Sequence, residues 1–176
     1  LSLVLLIGGA RAGKSALALE LAGGWRGGVV FIATAETRDD EMKVRVAAHR
    51  AGRRAAWKTI EEPLDLRAAL NSLDDDEYAI VDCITLWVAN LLERGDSEED
   101  ILAEAEEVAG LASARQSPVV AVTNEVGLGV VPATPLGRTY RDVLGGVNRR
   151  LADRAPNAYL VVAGRALPLA RPEDVR

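Results

Sequence analysis

Short apolar runs alternating with helical stretches predict an α/β domain with a mostly parallel central sheet flanked by helices. Two observations carry this expectation. Residues 3–7, 29–33, 78–81, 118–122 and 158–163 read as buried strands, each bounded by turn or helix signals. The first of them runs straight into Gly8-Gly9-Ala10-Arg11-Ala12-Gly13-Lys14-Ser15, a complete G-x-x-x-x-G-K-S phosphate-binding loop followed by a helical stretch over 16–22. Strand, glycine-rich turn and helix is the context in which that motif has meaning. A strand–turn–helix corner that needs glycine only for tightness is the plainer alternative. With every position filled, nucleoside triphosphate binding is the stronger expectation.

The remaining elements follow in order. Glycines 23, 24, 27 and 28 bracket a turn before the second strand. Thr34-Ala35-Glu36 sits at that strand's carboxyl end, where ligands gather in open α/β sheets. Residues 38–50 read as a helix with Asp39, Asp40 and Glu41 at its start, where negative charge suits the dipole, and Gly52 ends it. Residues 57–60 suggest a short strand, and Glu61-Glu62-Pro63 a brief helix running to residue 70. Helices are expected over 85–92 and 97–115, the latter with a solvated acidic start at Glu98, Glu99 and Asp100. Residues 126–135, with two glycines and two prolines, form a loop of functional length. A helix over 138–155, the strand over 158–163 and a short edge at 167–169 complete a single domain over 1–170, with 171–176 as a loose tail.

Composition narrows the class. Hydrophobic residues make up 49% and charged residues 27%, as in a soluble globular protein, while aromatics at 4% imply an aliphatic core. The net charge of −5 argues against nucleic acid as an obligate partner. Cys83 is the only cysteine, so no internal disulfide or cysteine-rich metal site is expected, and a reducing cytoplasmic compartment fits. The apolar start at residues 1–7 is too short to span a membrane and reads as a buried strand rather than a signal peptide. That the chain opens on Leu1 rather than Met carries no functional information.

The chemistry-bearing residues can be assigned roles. Gly8 and Gly13 let the backbone curl so that successive N–H groups converge on phosphate, helped by the helix dipole. Lys14 supplies a cation for the β- and γ-phosphates, and the Ser15 hydroxyl is placed to ligate Mg²⁺. Asp82, at the end of a buried strand, is either the carboxylate partner of that metal or a cap for the following helix; the loop upstream favours the first. His49 is the only histidine and shares a helical stripe with Glu41 and Arg45, beside Arg50, Arg53 and Arg54. Exposure, a neighbouring acceptor and nearby cations suit a nucleophile, yet a lone surface histidine is often inert, and the residues alone leave both readings open.

Several stretches together resemble one family. They are Gly8 to Ser15, Asp40-Glu41-Met42, Arg45-Val46-Ala47-Ala48-His49-Arg50 and Trp57-Lys58-Thr59-Ile60-Glu61-Glu62-Pro63, then Asp82-Cys83-Ile84-Thr85-Leu86-Trp87 and Asn124-Glu125-Val126-Gly127-Leu128-Gly129-Val130-Val131-Pro132. Arg141-Asp142, Asn148 and Val161-Val162-Ala163-Gly164 also match, in order, over nearly the whole chain. The family is the bifunctional adenosylcobinamide kinase / adenosylcobinamide-phosphate guanylyltransferase of cobalamin biosynthesis.

The resemblance implies a single P-loop NTPase domain of RecA-like fold, a cytoplasmic homotrimer, and two reactions. ATP or GTP phosphorylates the aminopropanol hydroxyl of the corrinoid. GTP then guanylylates a histidine with loss of pyrophosphate, and the GMP passes to the corrinoid phosphate. The nucleophile falls on His49. Nucleotide contacts fall on Gly8, Gly9, Ala10, Arg11, Ala12, Gly13, Lys14, Ser15, Thr34, Ala35, Glu36, Arg50, Ala51, Gly52, Arg53, Glu61 and Asp82. The base for the substrate hydroxyl is unassigned between Glu125 and Asp82. Three departures stand out: Ala12 where many relatives have serine, Ala48 where many have a second histidine, and Arg149 in place of a more usual glutamine. Neither a kinase for another small alcohol nor a nucleotide-gated switch would require His49.

Overall fold

Strands β1 (Leu3–Gly8), β2 (Val29–Ala33), β3 (Lys58–Glu61), β4 (Tyr78–Asp82), β5 (Val119–Asn124), β6 (Asn157–Val162) and β7 (Arg165–Pro168) build one sheet in a computed structural model of the chain. The structure describes residues 2–36 and 56–175. Across the sheet the order is β3-β2-β4-β5-β1-β6-β7. All neighbouring pairs are parallel except β6 with β7, which closes as an antiparallel hairpin, so the sheet is mixed. The helices are α1 (Lys14–Ala22), α2 (Leu66–Asn71), α3 (Ile84–Arg94), α4 (Glu98–Ala114) and α5 (Pro135–Arg154), with a single 3-10 turn at Pro172–Asp174.

Why the central strands read as unbroken apolar runs is visible in their packing, because both faces are covered. Side chains alternate across the sheet. Leu3, Leu5, Val30, Ile32, Ala79, Val81, Val119 and Ala121 face the core shared with α2 to α5. Leu6, Phe31, Ile80, Val120 and Val122 face the other side, where α1 contributes Ala18 and Ala22. Each fully buried leucine or isoleucine contributes about 1.5–3 kcal/mol relative to exposure, so an aliphatic core suffices. Trp87 is fully buried, and its indole N–H donates to the Leu64 carbonyl at 2.7 Å. That bond removes the cost of burying a lone polar atom.

Several element boundaries depart from the sequence expectation. The stretch from Glu61 does not open a helix: residues 58–61 are strand, and α2 starts only at Leu66. Pro63 disfavours helical backbone at Glu62, and the Glu62 carboxylate instead accepts the Leu64 and Asp65 N–H groups, both at 2.9 Å. Asp65 then caps α2 by accepting from Ala68 N–H. Helix α5 begins at Pro135, three residues before the expected start. Thr134 accepts from Gly137 N–H as the cap, and proline is favoured in the first turn because it lacks the N–H that would go unpaired. Strand β6 ends at Val162, one residue before the expected end, and turns at once into β7. The helix expected over residues 38–50 lies outside the described residues.

Candidate active site

The sheet register brings the candidate residues to one edge. Gly8 pairs with Asn124 and Val161, and Ala33 with both Asp82 and Glu61, so the carboxyl ends of six parallel strands share a rim. Distances along it differ, however. With strands roughly 4.8 Å apart, β4 lies about 10 Å from β1 and β3 about 19 Å away. Glu61, exposed at the end of β3, therefore serves a different part of the rim from the phosphate loop.

The loop has the curl that phosphate binding requires. Arg11 (φ 57°) and Gly13 (φ 102°) both adopt left-handed backbone, and Ala12 N–H donates to Gly9 O at 3.3 Å. Alternation of this kind turns amide groups into an anion-binding concavity. Close approach demands glycine at position 8, where a Cβ would stand 2.2 Å from the Val161 carbonyl oxygen. The hairpin turn supports the loop as well, since Gly164 N–H donates to Ala12 O at 2.8 Å. Helix α1 begins at Lys14, so its dipole points at the concavity.

Lys14 is buried, and its ammonium donates to the Gly8 and Gly9 carbonyls at 3.0 and 2.7 Å. Burial lowers its pKa, and the acidic groups at Cys83 and Asp82 offset part of that shift. The side chain thus sits within the field of Asp82, across the gap that α1 bridges. Ser15 follows at the first turn of α1, and Asp82 stands half-buried at the end of β4. Among the described residues no three His, Cys, Asp or Glu side chains cluster to hold a metal. A hydroxyl and one carboxylate instead match a hard cation whose other ligands are phosphate oxygens and water, as Mg²⁺ prefers.

Thr34 is fully buried, and its hydroxyl is committed to the backbone of Cys83. It shapes the rim from beneath, whereas Ala35 and Glu36 are half-exposed beyond it. The peptide bond between Asp82 and Cys83 is cis. Burial, reinforced by the Asp82 charge, pushes the Cys83 thiol up to about 11, so it is protonated at neutral pH. His49, Arg50, Ala51, Gly52 and Arg53 lie outside the described residues.

Sequence reasoning missed a buried polar network behind the rim. Asn90 on α3 donates to the carbonyls of Thr34 and Pro63 at 2.9 and 3.0 Å, tying β2 to the segment that follows β3. Thr85 on α3 accepts the Asn124 N–H at 2.7 Å. Asn148 on α5 donates to the Asn124 carbonyl at 3.0 Å and accepts the Thr123 hydroxyl at 2.7 Å. Tyr140 donates its hydroxyl to the Thr85 carbonyl at 3.1 Å. A signal was available: Asn148 interrupts the apolar stripe Leu144, Val147, Leu151, and Asn90 sits beside Trp87 and Leu91 in another. Buried amides in such stripes need partners, and their partners here are the strand ends.

The family model described as cobinamide kinase / cobinamide phosphate guanyltransferase matches residues 4–169. The chain is 43% identical over 171 residues to the bifunctional adenosylcobalamin biosynthesis protein CobP of Pseudomonas aeruginosa, covering 94% of this chain and 95% of that protein. It is 38% identical over 175 residues to the protein CobU of Escherichia coli, covering 92% and 96%, and 40% identical, with the same coverage, to CobU of Salmonella typhimurium. Among solved structures the fold resembles the RadB recombinase, with a TM-score of 0.51, 17% identity, and coverage of 90% of this chain and 73% of that one. A protein of Pyrococcus horikoshii OT3 aligns with a TM-score of 0.58 at 9% identity, covering 98% and 89%. These two likenesses concern the fold alone.

Proposed function

Because the chain belongs to the cobinamide kinase / cobinamide phosphate guanyltransferase family, we propose that both of its reactions run on one nucleotide site at the loop Gly8 to Ser15. The protein is a transferase of cobalamin biosynthesis, a bifunctional kinase and guanylyltransferase acting on adenosylcobinamide. The observation that carries the single-site reading is the convergence of Lys14 and Asp82 beside a loop whose backbone is curled for anions. The fold is then a P-loop domain of RecA-like type over residues 1–170, with 171–176 as a tail. Its strand order supports this, since β5 separates the loop strand β1 from the Asp82 strand β4.

In the first reaction the triphosphate of ATP or GTP lies along the loop. Backbone N–H groups hold it, and Lys14 leaves the Gly8 and Gly9 carbonyls to meet the β- and γ-phosphates. Ser15 and Asp82 would hold Mg²⁺, which neutralises charge developing on the phosphates. Phosphoryl transfer is then mostly a matter of positioning and charge stabilisation. In the second reaction His49 is the nucleophile toward the α-phosphate of GTP, and its neutral imidazole is the reactive form. Ala35, Glu36, Glu61 and the stretch Arg50 to Arg53 supply further nucleotide contacts, with Thr34 holding the rim beneath them.

The corrinoid is the acceptor, and assembly is as a homotrimer; light scattering measures the latter directly. Among the described residues no helix is long and apolar enough to cross a membrane, and a cytoplasmic location is proposed with it. The deciding experiment incubates protein with GTP labelled at the α-phosphate. Wild type acquires label that is labile to acid and stable to base, whereas His49→Ala acquires none and keeps at least part of the kinase reaction. Label with the same lability on His49→Ala would overturn the assignment, because the chain has no other histidine.

A further inference from the structure

We propose that Glu125 is the proton acceptor for the substrate hydroxyl in the kinase reaction, held in place through Asn124 by Thr85 and Asn148. The inference rests on the single-site reading above and deepens it. Glu125 is the first residue beyond β5, and its N–H donates to the Gly8 carbonyl at 3.1 Å, so its backbone is tied to the first residue of the phosphate loop. The chain leaves the sheet there toward α5. Val126 packs against the core on the side of α2 to α5, opposite the face that carries α1. Strand β5 lies between β1 and β4, so Glu125 leaves the rim directly beside the loop strand, where an acceptor in line with a loop-bound γ-phosphate would need a base.

The residue before it is gripped on both of its backbone groups. Asn124 N–H donates to Thr85, and its carbonyl accepts from Asn148, each of those side chains being buried and belonging to a different helix. Ending a strand requires no such pair of clamps. Buried polar side chains of this kind are costly unless fully bonded, and here they fix the two peptide units on either side of Asn124, beside the phosphate loop. Glu125 itself is half-exposed, and its Oε1 accepts the Gly127 N–H at 2.5 Å, leaving Oε2 for an incoming hydroxyl.

Asp82, the other candidate for the base, is less suited to this task. It interacts electrostatically with Lys14 and is the carboxylate that would hold Mg²⁺ with Ser15, so it is already committed. Glu125 lies instead at the start of the segment whose Leu128 and Val130 are the most exposed large apolar side chains described, a position open to a bulky acceptor. In the step itself the hydroxyl oxygen bonds to the γ-phosphorus as the bond to the bridging β,γ-oxygen breaks. That electron pair leaves with the nucleoside diphosphate, and the hydroxyl proton moves to Glu125 Oε2 and then to water.

The test uses the full chain with Glu125→Gln, Glu125→Asp, Thr85→Val and Thr85→Ser. Kinase kcat, its pH profile, KM for the nucleotide and GTP affinity are measured for each. Glu125→Gln is expected to lower kinase kcat by about 100-fold or more, the usual worth of a general base, with GTP affinity within about threefold of wild type. The acidic limb of the pH profile should disappear with it, and Glu125→Asp should keep a clearly larger share of kcat than Glu125→Gln. Thr85→Val should lower kcat with KM for the nucleotide unchanged, and Thr85→Ser should restore it. A Glu125→Gln kcat within about fivefold of wild type, or equal losses in the Gln and Asp variants, overturns the proposal. Failure of the single-site reading is seen separately, as a Lys14→Ala protein that retains the kinase reaction.

Discussion

The Thr34 hydroxyl donates to the Cys83 carbonyl at 2.7 Å and accepts the Cys83 N–H at 2.8 Å. One side chain thereby joins the end of β2 to the residue that follows Asp82. The Thr34 N–H adds a bond to the Asp82 carbonyl at 3.3 Å, and the Thr34 carbonyl accepts from Asn90. The strand-end carboxylate is therefore located from its neighbouring strand as well as from its own.

Replacing Thr34 by valine keeps the shape and removes the hydroxyl, stranding the Cys83 N–H, while the Cys83 carbonyl keeps the Trp87 N–H at 3.2 Å. The expected loss of stability is about 1–3 kcal/mol, read from chemical denaturation, with Thr34→Ser close to wild type. Equal stability of the valine variant would mean that the Cys83 N–H finds another partner.

Lys14 makes nucleotide affinity depend on pH with a definite sign. Its pKa is lowered in the free protein by burial, so between that lowered value and the ordinary 10.5 the unfolded chain binds more protons than the folded one. Stability of the free protein should rise with pH across that window. Phosphate charge in the complex raises the pKa again, so binding takes up a proton there and affinity should fall as pH increases. Calorimetric titration in buffers of different ionisation enthalpy measures the uptake directly. Lys14→Met should remove the proton uptake together with most of the affinity, and uptake persisting in that variant would assign it to another group.

Asp82→Asn keeps the outline of the side chain and removes its charge. Turnover should then need far more Mg²⁺, while nucleotide binding weakens less, because the loop backbone and Lys14 are untouched. Activity titrated against Mg²⁺ decides the matter. An unaltered Mg²⁺ dependence would leave Asp82 with only a structural part at the start of α3.

Local patterns made much of this legible. The phosphate loop could be read from Gly8, Gly13, Lys14 and Ser15, because strand, curl and helix are adjacent in sequence and each residue type has one physical use. Buried parallel strands such as residues 78–82 announced themselves as apolar runs ending in a carboxylate. What local pattern could not supply was pairing at a distance. Nothing near Asn148 or Asn90 in sequence shows that their amides serve the ends of β5 and β2. The misplaced start of α2 has a different origin: Glu61 and Glu62 suit a first helical turn, but partnership with β2 extended the strand through Glu61, and Pro63 prevented helix at Glu62. At Thr134 the cap and the following proline are both readable, but the glycines and prolines of residues 126–135 read together as one loop, which hides the helix start.

The position of β1 in the sheet bears on how the molecule comes into being. Its two neighbours are β5 and β6, so the strand that launches the phosphate loop finds no backbone partner until residues 119–124 and 157–161 exist. By contrast β2, β3 and β4 associate over short stretches of chain. Contacts so distant in sequence form late, after the cost of closing long loops has been met. A nascent chain thus carries Gly8 to Ser15 long before residues 119–124 have been made, yet has nowhere to seat them. A fragment halted before residue 119 would present Gly8 to Ser15 without the edge that braces them, and proteases would find β1 unshielded.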